Sequence, residues 1–203
     1  VDVNYSTQKI YNNLVSLGND ELGQNSIPYA YGHKNRFAKH HLLPIGEFVP
    51  FESFLRKLAP IFDLPMSSFT RGDYVQANLV ANGMKLAPAI CFEIAFPNQI
   101  RANLNDNTDA IITVSNDAWF GDSHGPHQHL EIALIRAKEF GLPALRLTNT
   151  GVTALVEHRV IISAIAPQFA YTLLTYDVRL VNGTSPYREF GNWHSYQLYI
   201  IHF

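Results

Sequence analysis

Two segments place apolar residues at helical spacing. After Pro50, Phe51, Phe54, Leu55, Leu58, Ile61 and Phe62 form an i, i+3, i+4, i+7 stripe that Asp63 and Pro65 bring to an end. The second runs from Pro126 to Phe140 with Leu130, Ala133, Leu134 and Ala137 on one face, and Gly141 and Pro143 are its stop signals. Elsewhere the apolar runs are short. Leu86 to Ile94 and Ala110 to Ser115 are too short for helices and read as buried neighbouring strands. Ala144 to Leu147, Val152 to Val156, Val160 to Ile165 and Thr172 to Val178 continue the series, with a turn at Glu157 to Arg159 joining the middle two. Val1 to Gly18 reads as a polar turn followed by a strand. Strands alternating with helices, without an internal repeat, predict an α/β layered fold.

Composition narrows the class. The 203 residues suit one domain. Charged residues make up only 16%, against a usual share of about 25%, so the chain is neither disordered nor a coiled coil. Fifteen Lys and Arg against seventeen Asp and Glu give a net charge of -2, and the basic residues are scattered, so nucleic acid is not expected as a partner. One cysteine excludes an internal disulfide and any multi-Cys zinc site. No apolar run approaches the roughly eighteen residues of a membrane span. The start has neither a basic leader nor an initiator Met, and Tyr196 to Phe203 is an apolar, aromatic stretch without a cap. The chain is expected to be part of something longer.

Candidate chemistry falls in three clusters. Cys91 ends the run Ala87-Pro88-Ala89-Ile90, so its strand delivers it to the edge of a sheet, where nucleophiles gather. A free cysteine is equally at home as a buried small hydrophobe, and its chemistry needs a neighbouring cation or base. The stretch Arg36 to Glu47 supplies candidates in Lys39, His40, His41 and Glu47, although on generic grounds a lysine ending a strand is a solvated edge charge. The third cluster, Asn116-Asp117-Ala118-Trp119-Phe120-Gly121, follows a buried strand, and its Trp beside a Gly suits the wall of a pocket for an extended apolar ligand. His124, His127 and His129 stand at no recognised ligand spacing, and neither a metal nor a cofactor is expected.

Taken in order, Lys39 with His41-Leu42 and Gly46-Glu47-Phe48-Val49-Pro50, Cys91-Phe92-Glu93, Asn116 to Gly121, Gly125-Pro126, Gln128-His129, Arg136-Ala137, Thr148 to Ala154 and Gly191-Asn192-Trp193 resemble the apolipoprotein N-acyltransferase family. The resemblance covers most of the chain and lies in that family's nitrilase-like, carbon-nitrogen hydrolase domain. It implies a partial αββα sandwich, lacking its N-terminal strands and membrane helices, on the periplasmic side of the bacterial inner membrane. Residues 1–193 would be the hydrolase-like domain and 194–203 the start of a truncated membrane helix.

The resemblance also implies roles. Cys91 would be the nucleophile and Lys39 the catalytic lysine, with Glu47 and Glu93 as supporting carboxylates, while Phe92, Asn116, Trp119, Phe120 and His129 would meet substrate. Phe92 stands where the family usually has Tyr. The family's catalytic Glu lies further upstream than the 38 residues before Lys39, and Glu21 sits in no matching motif. The implied reaction is ping-pong acyl transfer from a membrane phospholipid, through a Cys91 thioester, to the N-terminal cysteine amine of a diacylglyceryl apolipoprotein. The Phe51 to Phe62 helix and the Pro44 to Pro50 turn are expected to form a lipid-facing arm. Two rivals are a soluble nitrilase-type amidase and a truncated domain without turnover.

Overall fold

The structure is a computed structural model and describes residues 1–19, 26–27, 32–50 and 68–193. The Phe51 to Phe62 stripe, Glu21 and residues 194–203 lie outside the described residues. The first part of the chain forms antiparallel pairs. Strands β1 (Asp2–Asn4) and β2 (Lys9–Tyr11) make a hairpin, β3 (Asn13–Val15) pairs with β6 (Arg36–Ala38), and β4 (Gly18–Asn19) pairs with β5 (Ser26–Ile27). A six-stranded sheet follows, built from β7 (Leu79–Ala81), β8 (Met84–Ile90), β9 (Ala110–Ser115), β10 (Ala144–Thr148), β11 (Ala154–Val156) and β12 (Ile162–Ile165) in the order β12-β11-β10-β9-β8-β7. Strands β8, β9 and β10 run parallel, and the outer pairs are antiparallel. Parallel neighbours need crossovers. Helix α1 (Pro97–Asn103) lies in the first and α2 (Gly125–Phe140) in the second, while a short helix α3 (Pro186–Phe190) follows the sheet.

The period-two alternation of the strands divides the core. Ala89, Ile111, Ala144, Ala154 and Val156 face α2, where Leu130, Ala133, Ala137 and Phe140 close over them. Leu86, Ile90 and Ala110 face the other way and pack with Phe37 of β6 and Leu79. The central sheet therefore carries helix on one face and the β3–β6 pair on the other. Helix α2 matches the stripe expected from sequence. Gly141 caps it at φ +65°, a left-handed position that glycine takes without strain, and its N–H returns to the carbonyls of Ala137 and Lys138.

Pro88 sits in the middle of a central strand, where a missing N–H ordinarily breaks a ladder. Its neighbour of the same parity, Ile90, donates its N–H to Glu93 Oε2 at 2.8 Å rather than to β9. Pro88 therefore turns its nitrogen to the side where β7 has already ended, opposite Leu86.

Several expectations are corrected. The Leu86 to Ile94 run is strand only as far as Ile90, because Cys91 takes φ +57° and starts a 3-10 turn over Cys91–Ala95. Strand β12 begins at Ile162, since Val160 adopts φ +67° in the turn. Thr172 to Val178 forms no strand. Its alternation reflects an extended segment whose Leu174, Tyr176 and Val178 line an apolar recess against Leu145, Leu147 and Leu155, with no ladder partner among the described residues. Helices α1 and α3 are too short to show an apolar stripe of helical spacing, and Pro97 and Pro186 in their first turns are their sequence signals. In the Pro44 to Pro50 turn Ile45 is exposed and Val49 is buried.

The end of β6 is held by Gly72, whose N–H donates to the carbonyl of Lys39 at 2.9 Å. A Cβ on Gly72 would stand 2.2 Å from the carbonyl oxygen of Ala38, which is rigid backbone. Gly72→Ala should therefore destabilise the chain by about 1–3 kcal/mol, the usual cost of overpacking, as a lowered urea midpoint at unchanged m-value.

Candidate active site

Phe37 points from β6 into the core, and the same alternation points Lys39 towards the carboxyl end of the central sheet. There Lys39 is not the solvated edge charge that generic reasoning predicts. Its side chain is 2% exposed, and Nζ donates to Glu47 Oε2 at 2.7 Å. Glu47 is fixed in turn by Asn12 Nδ2 at 2.6 Å and by the backbone N–H of Leu43 at 2.7 Å. On its other side the Lys39 ammonium stands 5.2 Å from the centre of the Phe92 ring, within cation–π range.

Cys91 meets this pair from the opposite layer. It is the first residue after β8, and its left-handed φ turns the chain sharply from strand into 3-10 helix. A non-glycine residue in that region costs about 1–3 kcal/mol and persists only where the surroundings over-determine it. Glu93 supplies that determination. The carboxylate is 1% exposed, with Oε2 accepting from Ile90 N–H and Oε1 from the N–H groups of His40 at 2.8 Å and His41 at 3.0 Å. One carboxylate thus joins the turn carrying Cys91 to the segment following Lys39.

The other side of the turn rests on a buried charged cluster. Asp117 receives Ser115 Oγ at 2.6 Å, Arg146 Nη2 at 2.6 Å and His129 Nδ1 at 3.3 Å, and its own N–H donates to Asn149 Oδ1 at 3.0 Å. Burial by itself would raise the Asp117 carboxyl. The hydrogen bonds from His129 and Ser115 and the charge of Arg146 outweigh burial and hold it below its ordinary value. Burial also pulls the Arg146 guanidinium down from its ordinary value, against the opposing charge of Asp117. The remaining nitrogen of His129, Nε2, lies 3.2 Å from the carbonyl oxygen of Cys91.

A cavity of about 510 Å³ opens over these groups, lined by Cys91, Lys39, Glu47, Asn116, Trp119 and Asn149 among others. Asn149 Nδ2 donates to Asn116 Oδ1 at 2.6 Å and ties the two asparagines of that wall together. Trp119 is 81% exposed at the rim, and Phe120 is exposed close by. Among the residues expected to meet substrate, Asn116 and Trp119 line the cavity; Phe92, Phe120 and His129 do not. Phe92 lies against Lys39, and His129 stands behind the wall. Glu93 is beneath the turn rather than in the cavity.

Asp117 falls in the third sequence cluster without a role of its own, and Arg146 falls in none. The available signal was an arginine inside the apolar run Ala144 to Leu147, which only a buried counter-charge makes tolerable. Gly151 belongs to the same cluster, because a Cβ there would stand 2.2 Å from Asp117 Oδ2. Among the described residues no group of His, Cys, Asp and Glu could hold a metal ion.

Two outcomes follow from these contacts. Glu93→Gln replaces one acceptor oxygen by a donor facing a backbone N–H, so the urea-unfolding free energy should fall by about 1–3 kcal/mol. Unchanged stability would show that the three contacts carry no weight. Asp117→Asn leaves Arg146 buried without its counter-charge and should cost about 3–5 kcal/mol. Because the folded carboxyl titrates below its unfolded value of about 3.9, its contribution is present above that pH and lost as pH falls through the depressed value. Stability of Asp117→Asn should consequently change less than that of the parent chain below about pH 4.

The carbon-nitrogen hydrolase family profile matches residues 2–185. The apolipoprotein N-acyltransferase of Shewanella oneidensis is 54% identical over 185 residues, and that of Vibrio parahaemolyticus 52% over 189 residues. These alignments cover 91% and 93% of this chain, which spans only 36% and 37% of the length of those curated relatives. Among solved structures, a nitrilase-superfamily member from Saccharomyces cerevisiae aligns with TM-score 0.53 at 18% identity, covering 82% of this chain and 52% of that one. A glutamine-dependent NAD+ synthetase from Acinetobacter baumannii aligns with TM-score 0.56 at 15% identity, over 84% of this chain and 28% of its own. At such identities the likeness speaks for the fold alone. The sandwiched sheet, the cysteine turn at the end of β8 and the family profile converge, and the chain belongs to the carbon-nitrogen hydrolase family.

Proposed function

We propose that this chain is the acyl-transfer domain of an apolipoprotein N-acyltransferase, with Cys91 as the acyl carrier. The observation that carries the reading is the buried Lys39–Glu47 pair facing the same cavity as the Cys91 turn. An exposed lysine would be screened by water, whereas a buried ammonium held by a carboxylate is a fixed positive charge in a low-dielectric site. The relatives named above support the choice of reaction.

In the first half-reaction the Cys91 sulfur attacks the ester carbonyl carbon of a membrane phospholipid. A C–S bond forms, and the carbonyl oxygen takes the electron pair. Lys39 balances that charge, and collapse of the intermediate breaks the C–O bond to release a lysophospholipid. In the second, the N-terminal cysteine amine of a diacylglyceryl apolipoprotein attacks the thioester, a C–N bond forms, the C–S bond breaks and the thiol is restored. A thioester remains reactive towards an amine, which is why a thiol suits the carrier role. Glu47 keeps Lys39 in place, while the family's upstream glutamate takes the thiol proton and returns it to the departing lysophospholipid oxygen, then takes the amine proton and returns it to the Cys91 sulfur.

Asn116 and Trp119 meet the acyl donor, and exposed Trp119, Phe120 and Ile45 turn an apolar rim towards the lipid. Among the described residues no helix is long and apolar enough to cross a membrane. In this reading residues 1–193 are the periplasm-facing domain of an inner-membrane enzyme.

The single cysteine makes the test direct. Incubated with an aryl ester of a fatty acid, whose leaving group needs no protonation, the chain should gain one acyl group by intact mass. Cys91→Ser should gain none, and Lys39→Arg should react about a hundredfold more slowly or worse, because the compact ammonium is lost. In the full-length protein a diacylated lipopeptide should clear the adduct and yield the triacylated product, whereas the 203-residue chain alone is expected not to turn over, because the glutamate that accepts the amine proton matches no motif within it. Clearance by water at the same rate with or without lipopeptide would favour the amidase, and absence of any adduct would favour a domain without turnover.

A further inference from the structure

Cys91 keeps a backbone conformation that its own side chain disfavours, and Glu93 holds it only from the N-terminal side, through Ile90 N–H. The carbonyl of Cys91 points the other way, to His129 Nε2 at 3.2 Å. A carbonyl can only accept, so Nε2 donates. The opposite nitrogen, Nδ1, faces a carboxylate oxygen of Asp117, another acceptor, at 3.3 Å. Each ring nitrogen therefore faces an acceptor oxygen, one on the turn and one on the buried carboxylate. Arg146 and Ser115 anchor the carboxylate from β10 and β9, and Gly151 leaves no room for it to swing away. The ring is buried and outside the cavity lining, so its geometry is set by these contacts and not by substrate.

We propose that His129 is a positioning residue: clamped by Asp117, it fixes the Cys91 carbonyl and so holds the nucleophile's left-handed turn with Sγ in the Lys39 cavity. Helix α2 supplies the clamp from its first turns, which makes the reactivity of a thiol at the end of β8 depend on a helix in the opposite layer. Substrate contact is no part of this role. The inference rests on Cys91 being the nucleophile proposed above.

The test uses the two amides that mimic one ring nitrogen each. Glutamine at 129 places its N–H2 near the Nε2 position and can still donate to the Cys91 carbonyl, whereas asparagine reaches only the Nδ1 position and can serve Asp117 alone. The readout is the rate of Cys91 alkylation by iodoacetamide, followed by intact mass, with thermal midpoints measured in parallel. Iodoacetamide needs neither acyl donor nor acceptor, so the result stands even where the acyl-transfer reading fails. His129→Gln should react within about threefold of the parent chain. His129→Asn should be slower by about tenfold or more, since small misplacement of a reacting group carries large rate losses. Equal rates in the two variants, whether both fast or both slow, would overturn the proposal. Should His129→Asn fail to fold, a long-range ¹H–¹⁵N spectrum of the unsubstituted chain decides the matter, because a His129 Nε2 without a proton is incompatible with the clamp.

Discussion

The site depends on a buried carboxylate that lies beneath the cavity and not in its lining. Glu93 collects three backbone N–H groups from two layers of the fold, Ile90 at the end of β8 and His40 and His41 just after β6. Charge-assisted hydrogen bonds of this kind are about twice as strong as neutral ones, and burial removes the competition of water. Without this link the cysteine turn and the lysine segment would be two neighbouring loops with separate motions. With it, the distance between Cys91 and the Lys39 ammonium becomes a property of the sandwich.

Around that link the chain buries two ion pairs of different character. Lys39–Glu47 borders the cavity, so its ammonium can respond to charge developing on a substrate. Asp117–Arg146 lies between the central sheet and α2, with both side chains fully buried. Buried pairs of the second kind contribute little net stability compared with apolar packing of the same volume, and their worth lies in specificity. Here the specificity is geometric, since the oriented carboxylate aims an imidazole at the carbonyl of Cys91.

An aromatic stack leads away from the lysine. Phe92 meets Phe96 edge-on at 5.3 Å, Phe96 stacks on His41 at 3.9 Å, and His40 touches both His41 and Tyr74. Phe92 and Phe96 add no hydrogen-bonding demands beside the charged group, while His40 and His41 turn Nδ1 to the Gly72 carbonyl at 2.8 Å and to Gln99 Oε1 at 2.5 Å. Phe in place of the family's usual Tyr at position 92 suits this packing, because the ring presents its face to the Lys39 ammonium and needs no partner for a hydroxyl.

Much of this was legible before any coordinates. Helix α2, strands β9 and β10 and the position of Cys91 at a strand end follow from apolar spacing and stop residues, which are local properties, and the ordered motifs pointed to the family. Other features needed the tertiary structure. The sequence allowed Lys39 to be a solvated charge, and only the approach of β8 to β6 buries it. It allowed strand to continue through Ile94, and the strained turn at Cys91 is held by contacts on both sides of it, Glu93 on the Ile90 N–H and His129 on the Cys91 carbonyl. Arg146 and His129 lie seventeen residues apart and acquire meaning only through Asp117, which the parallel register of β9 and β10 sets between them. Periodicity reports which face of an element is apolar, whereas the pairing of buried charges depends on which elements become neighbours, and that is decided when the layers pack.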